Sequence, residues 1–229
     1  MSEFENLADH LHDLIDIITG HDDDHHQDTV AEPLPDHSHD DDPAVIGEPA
    51  AGAEHWHMQE RADTCAVASQ EFILDELTGV DHSEAQLTEI AEAHGWYQPG
   101  GGTAMADVGN ILEYFGVPVQ REYGATLEDL QHALDGGQKV IVGVDSDEIW
   151  TPGHDPDEPL DAYPGIPGQG ADHAVQVTGV DYSDPAHPVV VLNDPGTPDG
   201  GGERVPLEAF LDAWEDSGNY LVTAGSGHA

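Results

Sequence analysis

Three residues able to carry out acyl chemistry stand at suggestive positions: the single cysteine, Cys65, a histidine, His173, at the head of an apolar run, and an aspartate, Asp194, just past the next. Thiolate is the reactive form of cysteine, and a helix N-terminus stabilises it through the helix dipole and free N–H groups. Cys65 occupies such a start, because a helix is predicted over Cys65–Thr78, with Asp63 or Thr64 as N-cap and Gly79 just past the end. Ala174–Val180 alternates like a half-buried strand, and Val189–Leu192 pairs with it across the turn Asp184-Pro185-Ala186-His187-Pro188. A hairpin brings the start of one strand near the end of its partner. Imidazole and carboxylate then lie within hydrogen-bond reach, as the orienting pair of a nucleophile–base–acid triad requires. Singly, each residue has a plainer reading. A lone cysteine is commonly a small core residue, His173 could be a satisfied surface histidine, and Asn193-Asp194-Pro195-Gly196 makes a turn by itself. Their joint placement is what points to a triad.

The elements that must position these residues are helical first and stranded later. Further helices are expected over Ser83–His94, where Ser83 and Gln86 form a capping box, over Thr103–Phe115, and over Leu127–Leu134, opened by Thr126 with Asp129 at N3. Val140–Val144 reads as a short buried strand, Leu207–Asp216 as a helix, and Tyr220–Val222 as a last strand. The fold class is α+β, a helical N-terminal half packed on a C-terminal antiparallel sheet. Between Asp145 and Asp172 lies an aperiodic segment holding five prolines. Feeding directly into His173, residues 146–172 are expected to rim the cleft and select substrate, with Trp150 or Tyr163 supplying apolar contact.

Residues 1–57 read as an acidic tail, and residues 58–225 as the packed domain. Within the tail, Phe4, Leu7, Leu11, Leu14 and Ile18 share one face of a short amphipathic helix over 4–18, a surface for a partner protein. The remainder is too poor in apolar residues to offset ordering entropy and is expected to be disordered. Its His21, His25, His26, His37 and His39 lie among aspartates, which suits weak adventitious metal binding and no functional site. The charge balance, 4 Lys+Arg against 48 Asp+Glu, argues against nucleic acid and against an anionic membrane surface as partners. With one cysteine there is no intrachain disulfide, and no signal peptide or membrane span is read from the chain, so a cytoplasmic location is expected.

The segments QERADTCAVASQEFILDELTG, LEDLQHALDGGQKVIVGVD, DHAVQVTGVD and VVLNDPGTPDGG together resemble the bacteriocin-processing, double-glycine-leader peptidases, family thirty-nine of the cysteine peptidases, over residues 59–225. The resemblance implies a papain-like fold and peptide-bond hydrolysis without cofactor or metal. It implies Cys65 as nucleophile, His173 as base, Asp194 as orienting acid, and Gln59, six residues before the cysteine, as an oxyanion-hole donor. Asn193 is an alternative orienting residue, since papain itself uses an asparagine. Ala66-Val67 departs from the Gly-Pro that usually follows the nucleophile in such relatives. The substrate expected for so acidic a surface is a neutral or cationic peptide or protein. Two other readings stay open: a non-proteolytic binding module, and an acyltransferase or amidase using the same cysteine.

Overall fold

The computed structural model describes residues 44–150 and 170–227. Residues 1–43, and with them the helix expected over 4–18 and the His/Asp tract, lie outside the described residues, as does Tyr163. The described chain begins with β1 (Val45–Gly47), a single turn α1 (Pro49–Gly52) and a 3-10 turn (Ala53–His55). Residues 45–55 were expected to belong to a disordered tail, but they are built into the domain. β1 pairs antiparallel with β6 (His173–Asp181), Val45 facing Asp181 and Gly47 facing Gly179. Composition concealed this, because a three-residue strand supported by one neighbour needs no apolar periodicity of its own.

α2 (Cys65–Thr78) follows the expected bounds and closes on Gly79 in the left-handed region, φ 67°. Residues 65–75 are buried all round, so this is a central helix and not a surface one. α3 (Glu84–His94) is capped by Ser83, which accepts from the Gln86 N–H. The helix expected over 103–115 is much shorter. A small hairpin of β2 (Tyr97–Gln98) and β3 (Gly102–Thr103) and a 3-10 turn (Met105–Asp107) precede α4 (Asn110–Tyr114). Gly109 at φ 97° separates that turn from α4, a backbone state that no continuous helix contains.

Next come β4 (Val119–Glu122), α5 (Leu127–Asp135) with the Thr126/Asp129 capping box intact, β5 (Lys139–Val144) and α6 (Ser146–Trp150). α6 occupies the start of the segment expected to be without structure. After β6 come β7 (Val189–Asn193), β8 (Gly201–Pro206), α7 (Leu207–Glu215) and β9 (Leu221–Ala224). Among the described residues the main sheet runs β4-β9-β5-β6-β7-β8, with β1 continuing the edge of β6. Each of these pairings is antiparallel.

Strand alternation divides the core in two. Ile141, Ala174 and Val222 face α2, α3 and α4. Val140, Val142, Val175, Val177 and Leu221 face α5 and α7, where Leu130, Phe210 and Trp214 fill the layer. The fold is α+β, with helices on both faces of the sheet and the long central helix α2 laid across β6.

Candidate active site

α2 is registered against the sheet by a buried contact one turn beyond the cysteine. Ser69 Oγ donates to the Ala174 carbonyl at 3.1 Å, which holds the N-terminus of α2 over the first residues of β6. His173 opens β6, paired with Val144 of β5, and Asp194 directly follows β7, whose Asn193 pairs with Gln176. The register therefore sets imidazole beside carboxylate: His173 Nε2 lies 2.5 Å from Asp194 Oδ1. The side chains are 12% and 1% exposed. The Cys65 thiol is the second side-chain partner of the imidazole. Cys65 itself is 2% exposed.

These contacts set the proton affinities. Burial pulls the His173 imidazolium down, but the Asp194 hydrogen bond and the Cys65 partner outweigh it and hold the histidine well above its ordinary value. Burial pushes Asp194 up, and the bonds from His173 and from the Gly196 N–H outweigh it, holding the carboxyl below its usual range.

The surroundings lock both side chains. Gly196 N donates to Asp194 Oδ1 at 2.7 Å, and a Cβ on Gly196 would come 3.1 Å from the His173 ring, so glycine lets the backbone lie against the pair. The Trp150 ring meets the His173 ring edge-on, centroids 5.7 Å apart, and its indole N–H donates to Glu203 at 2.8 Å. Trp150 thus packs against the imidazole. On the other side, Trp56 Nε1 donates to the Asp194 carbonyl at 2.5 Å.

Asn193, the alternative orienting residue, is fully occupied elsewhere. It is buried, its amide donates to the Gly52 carbonyl and to Gln176 Oε1, both at 2.8 Å, and its Oδ1 accepts from Gly202 N at 3.1 Å. It fastens β7 to α1 and β8 and does not reach the histidine.

Gln59 lies in the loop that leads to α2. Its main-chain N–H donates to the Pro195 carbonyl at 2.8 Å, which ties that loop to the residue after Asp194. Its side-chain nitrogen donates one hydrogen to the Arg61 carbonyl at 2.6 Å. The second amide hydrogen remains for another acceptor. Among the described residues no side chain caps α2: the Thr64 hydroxyl lies 2.5 Å from Glu84 Oε1, to which it donates, and 2.9 Å from Arg61 O, and Asp63 accepts from Gly100 N. The N–H groups at the cysteine end are therefore free of side-chain competition.

Sequence reasoning missed Trp56, and it missed the contacts that Trp150 and Gly196 make with the His173 ring, which join residues distant in the chain. It also missed a buried group close to the helix start. His57, Glu71 and Glu84 bring one ligand-type atom each to within 4.8 Å of one another. No local pattern signals it, because the three stand on a loop and two different helices.

No protein-family model matches the chain. Among solved structures, a C39-like peptidase from Bacillus anthracis superposes with a TM-score of 0.58 at 16% identity, covering 81% of this chain and 99% of that one. Digestive procathepsin L 3 of Tenebrio molitor superposes with a TM-score of 0.50 at 13% identity, covering 82% and 72%. The fold is papain-like, of the C39-like form. In sequence, uncharacterized proteins of Mycobacterium tuberculosis and Mycobacterium bovis are 30% identical over 203 residues, 78% of this chain and 83% of theirs. The chain belongs to the family of these mycobacterial proteins. Among the described residues no helix is long and apolar enough to cross a membrane.

Proposed function

We propose that the protein is a cysteine peptidase in which Cys65 is the nucleophile, His173 the general base and acid, and Asp194 the residue that orients and charges the histidine. The observation that carries this reading is the shared imidazole: His173 is held by Asp194 on one side and by Cys65 on the other, with the cysteine at the first position of a 14-residue helix. His173, its proton affinity raised, takes the thiol proton and generates the nucleophilic thiolate. The sulfur attacks the scissile carbonyl carbon, and the carbonyl oxygen takes the negative charge. The Cys65 N–H and the uncommitted Gln59 amide hydrogen donate to that oxyanion. His173 then protonates the leaving amine, and water, deprotonated by the same imidazole, hydrolyses the thioester. The substrate class is a neutral or cationic peptide, because the net charge of -44 attracts cationic peptides and repels acidic ones.

The test has two parts. Alkylation by iodoacetamide at neutral pH should modify Cys65 faster than a free thiol, and His173→Ala should abolish the acceleration. A peptide-library digest should show cleavage by the wild type and none by Cys65→Ala. Ordinary thiol reactivity together with no cleavage would overturn the reading.

A further inference from the structure

The group formed by His57, Glu71 and Glu84 serves none of the steps above. His57 stands in the loop before α2, Glu71 on α2 and Glu84 at the first position of α3. Glu71 and Glu84 are each 2% exposed, while the His57 side chain is 41% exposed and opens the group to solvent. His57 Nε2 lies 3.2 Å from Glu71 Oε2. Two ligands of a tetrahedral centre with bonds of about 2.0–2.1 Å stand roughly 3.3 Å apart.

The hydrogen bonding supplies a second, independent sign. His57 Nδ1 lies 3.1 Å from the Met58 carbonyl, which can only accept, so Nδ1 carries the proton. In the neutral ring Nε2 then presents its lone pair to Glu71. Glu71 Oε2 is buried and, the His57 ring apart, has no hydrogen-bond partner among the described residues. Unless a proton or a metal ion stands between them, that lone pair and the buried carboxylate oxygen face each other 3.2 Å apart. The backbone bond on the far nitrogen is the arrangement by which proteins orient a metal-ligating histidine. Glu84 is likewise oriented, accepting from Glu60 N at 2.8 Å and from Thr64 Oγ1 at 2.5 Å. These bonds leave its remaining lone pairs available.

We propose that His57, Glu71 and Glu84 form a binding site for a divalent cation of the zinc class, with solvent completing the coordination on the His57 side. Imidazole with carboxylates is a donor set such ions accept, and a hard ion like magnesium disfavours the nitrogen. The ion ties three segments together next to Thr64, the residue before the cysteine. The site stands whether or not the chain cleaves peptides.

The competing occupant is a proton shared by His57 and Glu71, and the competing binder is the histidine-bearing N-terminal segment. The test uses the full-length protein, stripped with a chelator and titrated with Zn2+ calorimetrically. His57→Ala and Glu71→Gln, which carry the same N-terminal segment, are titrated alongside. The expected result is one class of site in the wild type at least tenfold tighter than the rest, absent from both variants, with the weaker class unchanged. One equivalent of Zn2+ should also raise the thermal midpoint of the wild type and of neither variant. Should Glu71→Gln fail to fold, His57→Ala, altered at a partly exposed side chain, decides alone. Titrations of wild type and His57→Ala that coincide, or a wild-type midpoint indifferent to Zn2+, would overturn the proposal.

Discussion

Asp194→Asn is the substitution that probes the triad most directly, because asparagine keeps the shape and removes only the charge. The His173–Asp194 contact is 2.5 Å long between side chains 12% and 1% exposed, so solvent screens it little. A hydrogen bond to a charged partner contributes about 1.5–3 kcal/mol and a neutral one about 0.5–1.5 kcal/mol. The exchange therefore costs the imidazolium about 1–2 kcal/mol, a factor of roughly 5–30 in the population of the thiolate–imidazolium pair. Cys65 is the only cysteine, so alkylation of the intact chain reports it without ambiguity. Followed from about pH 5 to 9, the alkylation rate of the variant should fall about tenfold below the wild type near neutrality and converge at high pH, where the free thiol ionises in both. The sign follows from the raised affinity of His173. Its charged form is favoured at lower pH and is lost as pH rises through its folded value, so removing Asp194 moves that loss to lower pH. Coincident pH–rate profiles for wild type and variant would refute the argument that Asp194 charges the histidine.

Other consequences are equally open to measurement. A Cβ on Gly200 would stand 2.1 Å from the Asp194 carbonyl oxygen. Gly200→Ala should therefore cost about 1–3 kcal/mol and several degrees of thermal midpoint, measured by calorimetry, with alkylation of Cys65 slowed as Asp194 shifts. Asn193→Ala strands the Gly52 carbonyl, Gln176 Oε1 and Gly202 N, and should lower stability by about 2–4 kcal/mol in urea unfolding. The Ser183 and Arg204 hydrogen bonds hold Asp181 down to about 2. Its contribution is present above the ordinary carboxylate range and is lost as pH falls toward 2, so an Asp181→Asn stability deficit seen at neutral pH should vanish on acidification in an unfolding series.

Where local signals were strong, the sequence determined the elements. The helix stops at Gly79 and Gly95, the N-cap at Ser83, the capping box at Thr126, and the apolar runs of β5 and β6 each depend on residues within a few positions of one another. Proximity of His173 to Asp194 was legible for a similar reason, since they sit at adjoining ends of two strands joined by a short turn. Other features needed the assembled sheet. β1 has no periodicity of its own and exists because β6 offers it an edge. Asn193 and Asp194 are neighbours of similar shape, and pattern alone could not say which one faces the histidine. Successive side chains at a strand end point to opposite sides, and the packing of α1 and β8 claims Asn193 for structure while leaving Asp194 for His173. Trp150 against the imidazole and His57 against two glutamates on separate helices likewise come from contacts distant in the chain. Such contacts leave no spacing in the sequence, because only the closed tertiary structure brings their residues within reach.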